Sequence, residues 1–484
     1  MSYANALSHL NWGSLYDASA WVLRIGALLY VPQRRPPNAA RAWLLFIFFL
    51  PWPGVLLYLL IGRAYLPRRR FEVQQQIVEL VRRLAPRVPG FESELERHVA
   101  PELAPALRLA GRLSEFPPVG GNAFALLPRY DEAIARIVDE VAGARHYVHM
   151  LFYIYEHDEV GARMTDALVD AARRGVAVRV LMDAIGSRAG LAQLGPRLRA
   201  AGAEVIAVMP LRLWGPNAAR LDLRNHRKIV VVDGACAYFG SQNIVSAHAN
   251  RGLVNEELLV RATGPVVRHL HAVLLGDRYL ETADLPPESD SLAPAAAAAG
   301  IEAGYAQVVP SGPGYSEGTA EAVMIALLYG ARHRVVLTSP YVIPSEPFLA
   351  AMLATARRGV RVDLIVDAES NKPLVQLAQQ SFYDAMLAAG VGIHRHKGSF
   401  LHAKHLSVDD DVALVGSSNL DIRSFALNAE ISVLVYERGF VRELAAIQDG
   451  YLSRSERVTV ADRARLPRRL RVLENLARLT DSLL

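Results

Sequence analysis

Two stretches of this chain repeat one spacing, His226-x-Lys228-x4-Asp233 and His402-x-Lys404-x4-Asp409. Lysine is scarce, at 4 residues against 49 arginines, so a bias toward Arg has spared Lys at both places where an ammonium stands two residues from an imidazole. On an extended segment residues i and i+2 project from the same face, so each stretch delivers an imidazole and a compact cation together. Imidazoles supply nucleophiles and proton carriers, and ammonium groups hold negative charge. Two such segments set face to face make one site with two His and two Lys.

The elements that position these residues are also duplicated. Gly240-Ser241-Gln242-Asn243 follows the first motif and Gly416-Ser417-Ser418-Asn419 the second, each Asn ten residues beyond the motif Asp. Farther on, Asn255-Glu256-Glu257-Leu258 echoes Asn428-Ala429-Glu430-Ile431. Upstream, Ala172-Arg173-Arg174-Gly175-Val176 matches Ala356-Arg357-Arg358-Gly359-Val360. Each reads as a helix ending at Gly and feeding a buried strand. Asp233 and Asp409 end the strand that begins at their own motif.

On these residues the chain resembles the phospholipase D superfamily, and within it the bacterial cardiolipin synthases. Arg224-Asn225-His226-Arg227-Lys228 resembles the first signature of that family, and Gly416 to Glu430 resembles its second-motif extension. Ser339-Pro340-Tyr341-Val342-Ile343-Pro344 and Ser311-Gly312-Pro313 also have counterparts there. The resemblance covers nearly the whole chain. Departures cluster after the first motif, at Phe239-Gly240-Ser241 and Val254-Asn255-Glu256-Glu257.

A phosphodiester is anionic and resists attack, so its transfer needs a nucleophile, cations around the nonbridging oxygens and an acid for the leaving alkoxide. His226 as nucleophile and His402 as acid and base follow from the resemblance, in a site close to symmetric. The candidate catalytic set is His226, Lys228, Asp233, His402, Lys404 and Asp409, the resemblance implying a supporting role for the two Asp. Lys228, Lys404, Asn243 and Asn419 are expected on the phosphate oxygens. Glu257 and Glu430 are expected to hold the imidazoles in one tautomer, each reaching across to a ring, with Ser241 and Ser417 in support. No metal or cofactor is called for. His394, His396 and His405 read as ordinary surface or supporting residues, since the first copy lacks equivalents. Arg423 fits either a lipid headgroup phosphate or a pair with Asp421. Gly312-Pro313-Gly314 reads as a turn. Cys236, the single cysteine, reads as core and excludes an internal disulfide.

Hydrophobic residues make up 52% of the 484, high for a soluble protein, and the excess lies at the front. Ala42 to Gly62 is 21 residues without a charge, enough to cross a hydrocarbon core of about 30 Å. Pro51 and Pro53 break its middle and allow a kinked or re-entrant path, and Trp12 to Val31, with Asp17 and Arg24, is a weaker second span. Arg63 and Arg68-Arg69-Arg70 place the catalytic part on the cytoplasmic side of a bacterial inner membrane. The expected organisation is a membrane-anchoring segment over 1–66, an amphipathic helical tether over 67–120, a first phospholipase D-like domain over 121–285, a linker over 286–305 and a second such domain over 306–484. The predicted fold is α/β, two tandem domains of mixed sheet flanked by helices and related by a pseudo-two-fold axis, with the site on that axis.

The resemblance implies transfer of a phosphatidyl group between two phosphatidylglycerol molecules, giving cardiolipin and glycerol. Partners are then anionic phospholipids and the bilayer, which suits a net charge of +5. Hydrolysis to phosphatidic acid is the alternative. A nuclease is disfavoured because no concentrated basic and aromatic tract surrounds either motif.

Overall fold

The two helix–Gly–strand units expected upstream of the motifs form as written. Helix Glu159–Arg173 closes at Gly175, φ +90°, and leads into β3 (Ala177–Asp183), while helix Glu346–Arg357 closes at Gly359, φ +91°, and leads into β12 (Arg361–Asp367). In the first unit Val176 N–H donates to Ala171 O, ending the helix in the turn that a left-handed residue permits. The computed structural model describes residues 12–35, 37–62, 99–210, 222–250, 252–284, 304–313, 315 and 318–479. Contacts divide the chain into 1–69 with 211–223, and 70–210 with 224–484.

The second unit is built on one mixed sheet of 15 strands. The first copy supplies β1 (Val119–Leu127), β2 (Tyr147–Phe152), β3, β4 (Glu204–Val208), β5 (Ile229–Val232), β6 (Cys236–Gly240) and β8 (Leu259–Thr263), in the spatial order β1-β8-β6-β5-β2-β3-β4. The second supplies β9 (Gly304–Ser311), β10 (Arg334–Thr338), β12, β13 (Gly392–His396), β15 (His405–Val408), β16 (Val412–Gly416) and β18 (Glu430–Val435), in the matching order β9-β18-β16-β15-β10-β12-β13. An extra strand, β19 (Ser455–Val458), covers the far edge of β13, and two short parallel pairs stand outside the sheet, β7 (Asn255–Glu256) with β14 (Phe400–Leu401) and β11 (Val342–Ile343) with β17 (Leu420–Asp421). In both copies three strands run parallel and the rest antiparallel, so the halves share a topology as well as a sequence.

The halves are not two separate layers. They join edge to edge where β1 pairs with β9, Val119 opposite Ala306 and Asn122 opposite Gly304. Buried Asn122 staples the seam, donating to Gly304 O at 2.8 Å and accepting from Val266 N at 2.8 Å. Strands such as β5, with all four residues buried, are apolar throughout because helices cover both faces. Helix Tyr130–Gly143 shows the complementary pattern, burying Tyr130, Ala133, Ile134, Ile137 and Val141 along one stripe.

The first unit folds differently from its expected long span. Trp12–Tyr30 is one helix, and the apolar run beyond it divides into helices Pro37–Phe49 and Pro51–Leu57, followed by a π-turn at Tyr58–Gly62. Leu50, at φ −128° and ψ 75°, breaks the run because the residue before a proline is pushed out of helical geometry. The two short helices pack so closely that a Cβ on Gly54 would stand 2.8 Å from Ile47 Cα. Among the described residues no helix is long and apolar enough to cross a membrane. Of the tether, helix Ala104–Ser114 is described, whereas residues 63–98, including the Arg cluster, and most of the linker lie outside the described residues.

Candidate active site

Each motif begins just before a central antiparallel strand, β5 or β15, and its His is held there by the other half of the chain. His226 N–H donates to Ala429 O at 2.8 Å, and His402 N–H to Glu256 O at 2.8 Å. The second contact extends a short parallel pair, β7 (Asn255–Glu256) with β14 (Phe400–Leu401). Strand-end carboxylates complete the grip. Asp183 accepts from Asn225 N at 3.1 Å and Asp367 from Leu401 N at 2.8 Å, each one residue before a motif His.

The segment that clasps each His also carries the acid that orients it. Glu430 accepts from His226 Nδ1 at 2.9 Å, and Glu257 from His402 Nδ1 at 2.7 Å, so each imidazole is held by a carboxylate of the other half. Glu430 has more support, accepting from Ser417 Oγ at 2.5 Å and from Asn428 Nδ2 at 3.5 Å. Ser241, the counterpart of Ser417, bonds only the backbone of Leu258, accepting from its N–H at 3.0 Å. The Gly before each Ser makes this approach possible. A Cβ on Gly240 or Gly416 would stand 2.2 Å from Leu258 O or Ile431 O.

Behind the imidazoles lie the two lysines, both buried. Each ammonium donates to the backbone carbonyl of its own motif His, as side chains two apart on an extended segment allow. Burial pulls Lys228 down to about 7 and Lys404 to about 8, against the opposing pull of Glu430 and Glu257. Burial likewise pushes His226 well below its usual range, helped by Lys228, and lowers His402 to about 4 despite Glu257. It raises Glu430 to about 7, with Lys228 and Ser417 opposing. Two imidazoles held toward the neutral form therefore stand beside two lysines whose charge burial disfavours.

A cavity of about 430 Å³ opens onto these groups, lined by both His, by Asn243 and Asn419, and by Glu257. Asn243 Oδ1 accepts from Ile154 N at 3.1 Å, leaving its NH2 for a ligand. The motif aspartates take no part in the cleft. Asp233 accepts from the backbone N–H groups of Arg145, His146 and Tyr147, and Asp409 from those of Arg332, His333 and Arg334. Both sit at φ near +50°, in the turn at the far end of the strand. They anchor β2 and β10 beside the motif strands, a supporting role outside the cleft.

The three extra His are structural and buried or nearly so, not surface residues: His394 pairs with Asp363 at 2.9 Å, His396 with Ser399 at 2.8 Å and His405 with Gln448 at 3.1 Å. Cys236 is in the core. Several cleft residues escaped the motif reading. Tyr153 packs edge-on to the His226 ring at 4.8 Å, and Asn371 and Lys372 line the cavity beside Arg224, Tyr341 and Arg423 from the stretches already quoted. Lysine scarcity was a usable signal, because Lys372 is a third of the four lysines at this site. Buried Arg227 was also missed as a brace. Its guanidinium bonds Asp277 and donates to Glu430 O at 2.9 Å and Ser311 O at 3.3 Å.

A duplicated mixed sheet presenting two His-x-Lys segments to one cleft defines the phospholipase D-like class. The family model described as cardiolipin synthase, PLD-like domain, matches residues 137–274 and 324–450, and one described as phospholipase D-nuclease N-terminal matches 22–63. Cardiolipin synthase A of Proteus mirabilis is 34% identical over 472 residues, covering 94% of this chain and 95% of that protein. Cardiolipin synthase A of Escherichia coli O1:K1 is 34% identical over 451 residues, covering 90% and 91%. The chain belongs to the cardiolipin synthase family of phospholipase D-like proteins. A phosphatidylserine synthase of Haemophilus influenzae shares the fold, with a TM-score of 0.58 at 15% identity over 78% of this chain and 98% of that one.

Proposed function

We propose that this protein is a cardiolipin synthase, moving a phosphatidyl group from one phosphatidylglycerol to the free hydroxyl of another and releasing glycerol. One observation supports this most: two His-x-Lys segments meet in a single cleft, each imidazole oriented by a Glu of the other half, in a chain whose relatives over nearly its full length bear that name.

With Nδ1 bound to Glu430, neutral His226 has Nε2 as its nucleophile. Nε2 bonds to phosphorus as the bond from phosphorus to the glycerol oxygen breaks, and the departing alkoxide takes a proton from His402. The arriving phosphodiester anion favours the imidazolium form of His402, and Glu257 stabilises that cation. Neutral His402 then takes the proton of the acceptor hydroxyl, whose oxygen displaces His226 and restores the site. Lys228, Lys404, Asn243 and Asn419 hold the nonbridging oxygens through both steps.

The first unit serves as the membrane anchor in this reading. Trp21, Leu28, Leu29, Phe49 and Leu56 are exposed large apolar side chains on the helices of this unit, which suits burial in a bilayer interface. The Arg-rich stretch that follows its helices in sequence favours a cytoplasmic catalytic unit on a bacterial inner membrane. Anchoring raises the local concentration of both lipids, and so favours a lipid acceptor over water.

Mass spectrometry of lipids after incubating the full chain with phosphatidylglycerol vesicles tests the reading. Cardiolipin with matching glycerol release, absent from a His226→Ala, His402→Ala double variant, supports it. Phosphatidic acid alone makes the protein a phospholipase.

A further inference from the structure

Besides the symmetric donors, three cations line the cleft, Arg224, Arg423 and Lys372, and of these Lys372 has a counterpart position in the other half that can be compared directly. Lys372 follows the strand-end Asp367 by five residues, as Arg188 follows Asp183 in the first half. Arg188 is exposed to solvent away from the cavity wall, whereas Lys372 lines the cavity. Two-fold pairing therefore stops at this position, where only the second half adds a cation to the cleft wall. The remaining lysine, Lys397, is accounted for by Glu456 at 2.6 Å.

Lys372 is also placed rather than loose. Its ammonium stands 4.6 Å from the centre of the Tyr341 ring. Tyr341 donates to Asn371 Oδ1 at 2.5 Å, Asn371 to Asn250 Oδ1 at 2.9 Å, and Asn250 to Asn255 Oδ1 at 2.8 Å. This chain of bonds runs along the cavity wall from the second half to the first. Among the described residues the Lys372 ammonium makes no ion pair, unlike Arg224, which lies 3.9 Å from Asp183; Asp421 and Arg423 share the cavity with Lys372 and act on its charge in opposite directions.

A phosphate at the reaction centre is already served by two Lys and two Asn related by the pseudo-two-fold axis. An acceptor phosphatidylglycerol brings a second phosphodiester, separated from its attacking hydroxyl by the glycerol carbons. That second anion cannot share the central donors and needs an off-axis cation. Water and short alcohols carry no such anion. Resting on the cardiolipin synthase reading, we propose that Lys372, braced on Tyr341 beside Asn371, binds the phosphodiester of the acceptor lipid and so selects it over water and small alcohols.

The test is a competition. The full chain, its Lys372→Met and its Lys372→Arg variants are incubated with phosphatidylglycerol vesicles containing ethanol, and cardiolipin and phosphatidylethanol are counted together. Phosphatidylethanol reports donor attack and folding, because it needs everything except the acceptor's phosphate. Loss of a charge-assisted contact predicts a cardiolipin to phosphatidylethanol ratio lower by roughly 10- to 100-fold in K372M, largely restored in K372R. An unchanged ratio in K372M, or an equal fall of both products, overturns the assignment while leaving the synthase reading in place. Wild-type protein that makes phosphatidylethanol but no cardiolipin overturns the synthase reading, and the inference with it.

Discussion

Glu430 of the second half accepts a hydrogen bond from His226 of the first at 2.9 Å, the mirror of the 2.7 Å bond between Glu257 and His402. Neither half can orient its own imidazole, so a single copy of the repeat has no working site. Glu257→Gln and Glu430→Gln keep the shape but lose the charge that supports an imidazolium. Each should lower kcat on the order of 10²-fold with a small change in KM. Steady-state kinetics in mixed micelles checks this; a change confined to KM would place the carboxylates on substrate instead.

Nucleophile and acid can be told apart by trapping. A phosphatidyl ester with a good leaving group, such as p-nitrophenol, needs no acid to depart. His402→Ala should then accumulate phosphohistidine at His226, seen by peptide mass spectrometry, and His226→Ala should accumulate none. Label at His402 in the second variant would reverse the roles.

The two lysines set a basic limit to activity. Burial lowers Lys228 to about 7 and Lys404 to about 8, so their charge is present below those values and lost as pH rises through them. For the free enzyme, kcat/KM should fall with rising pH across about 7 to 8. Lys228→Arg, which stays charged, should move the start of that fall up toward the Lys404 value of about 8 in a pH profile, even if the maximum rate drops.

Asp233 and Asp409 each accept three backbone N–H groups far from the cleft. Asp409→Ala should therefore cost stability, about 2–4 kcal/mol, read as a lower Tm. The surviving folded enzyme should keep a near-normal KM, since no substrate contact is removed.

Removing residues 1–69 tests the anchor. The truncated chain should lose most of its turnover on vesicles and keep it on lipid dispersed in detergent, where surface recruitment no longer matters. Equal loss on both would make the segment part of the catalytic fold.

Local rules made much of this legible from sequence. Gly175 and Gly359 announced helix ends, His and Lys two apart announced a shared face, and the repeat of Asn and Glu announced a second copy of the same machinery. Other features depended on contacts between residues distant in the chain. Asp233 and Asp409 read as supporting residues at strand ends, and only the turn they occupy shows that what they hold is the start of β2 and β10. Lys372 carries no motif at all; its place beside Tyr341 exists because β12 and the loop after it deliver it to the cleft.

By itself, then, the sequence determined the chemistry available, the duplication and the pattern of strands, because these depend on side-chain type and on periods of two and 3.6 residues. Tertiary structure decided that β1 and β9 merge the halves into one sheet and that Lys372, Tyr341 and Asn371 meet at the cleft wall. Those outcomes follow from which long-range pairings bury the most surface while satisfying every buried N–H and C=O, and no local window of residues contains that information.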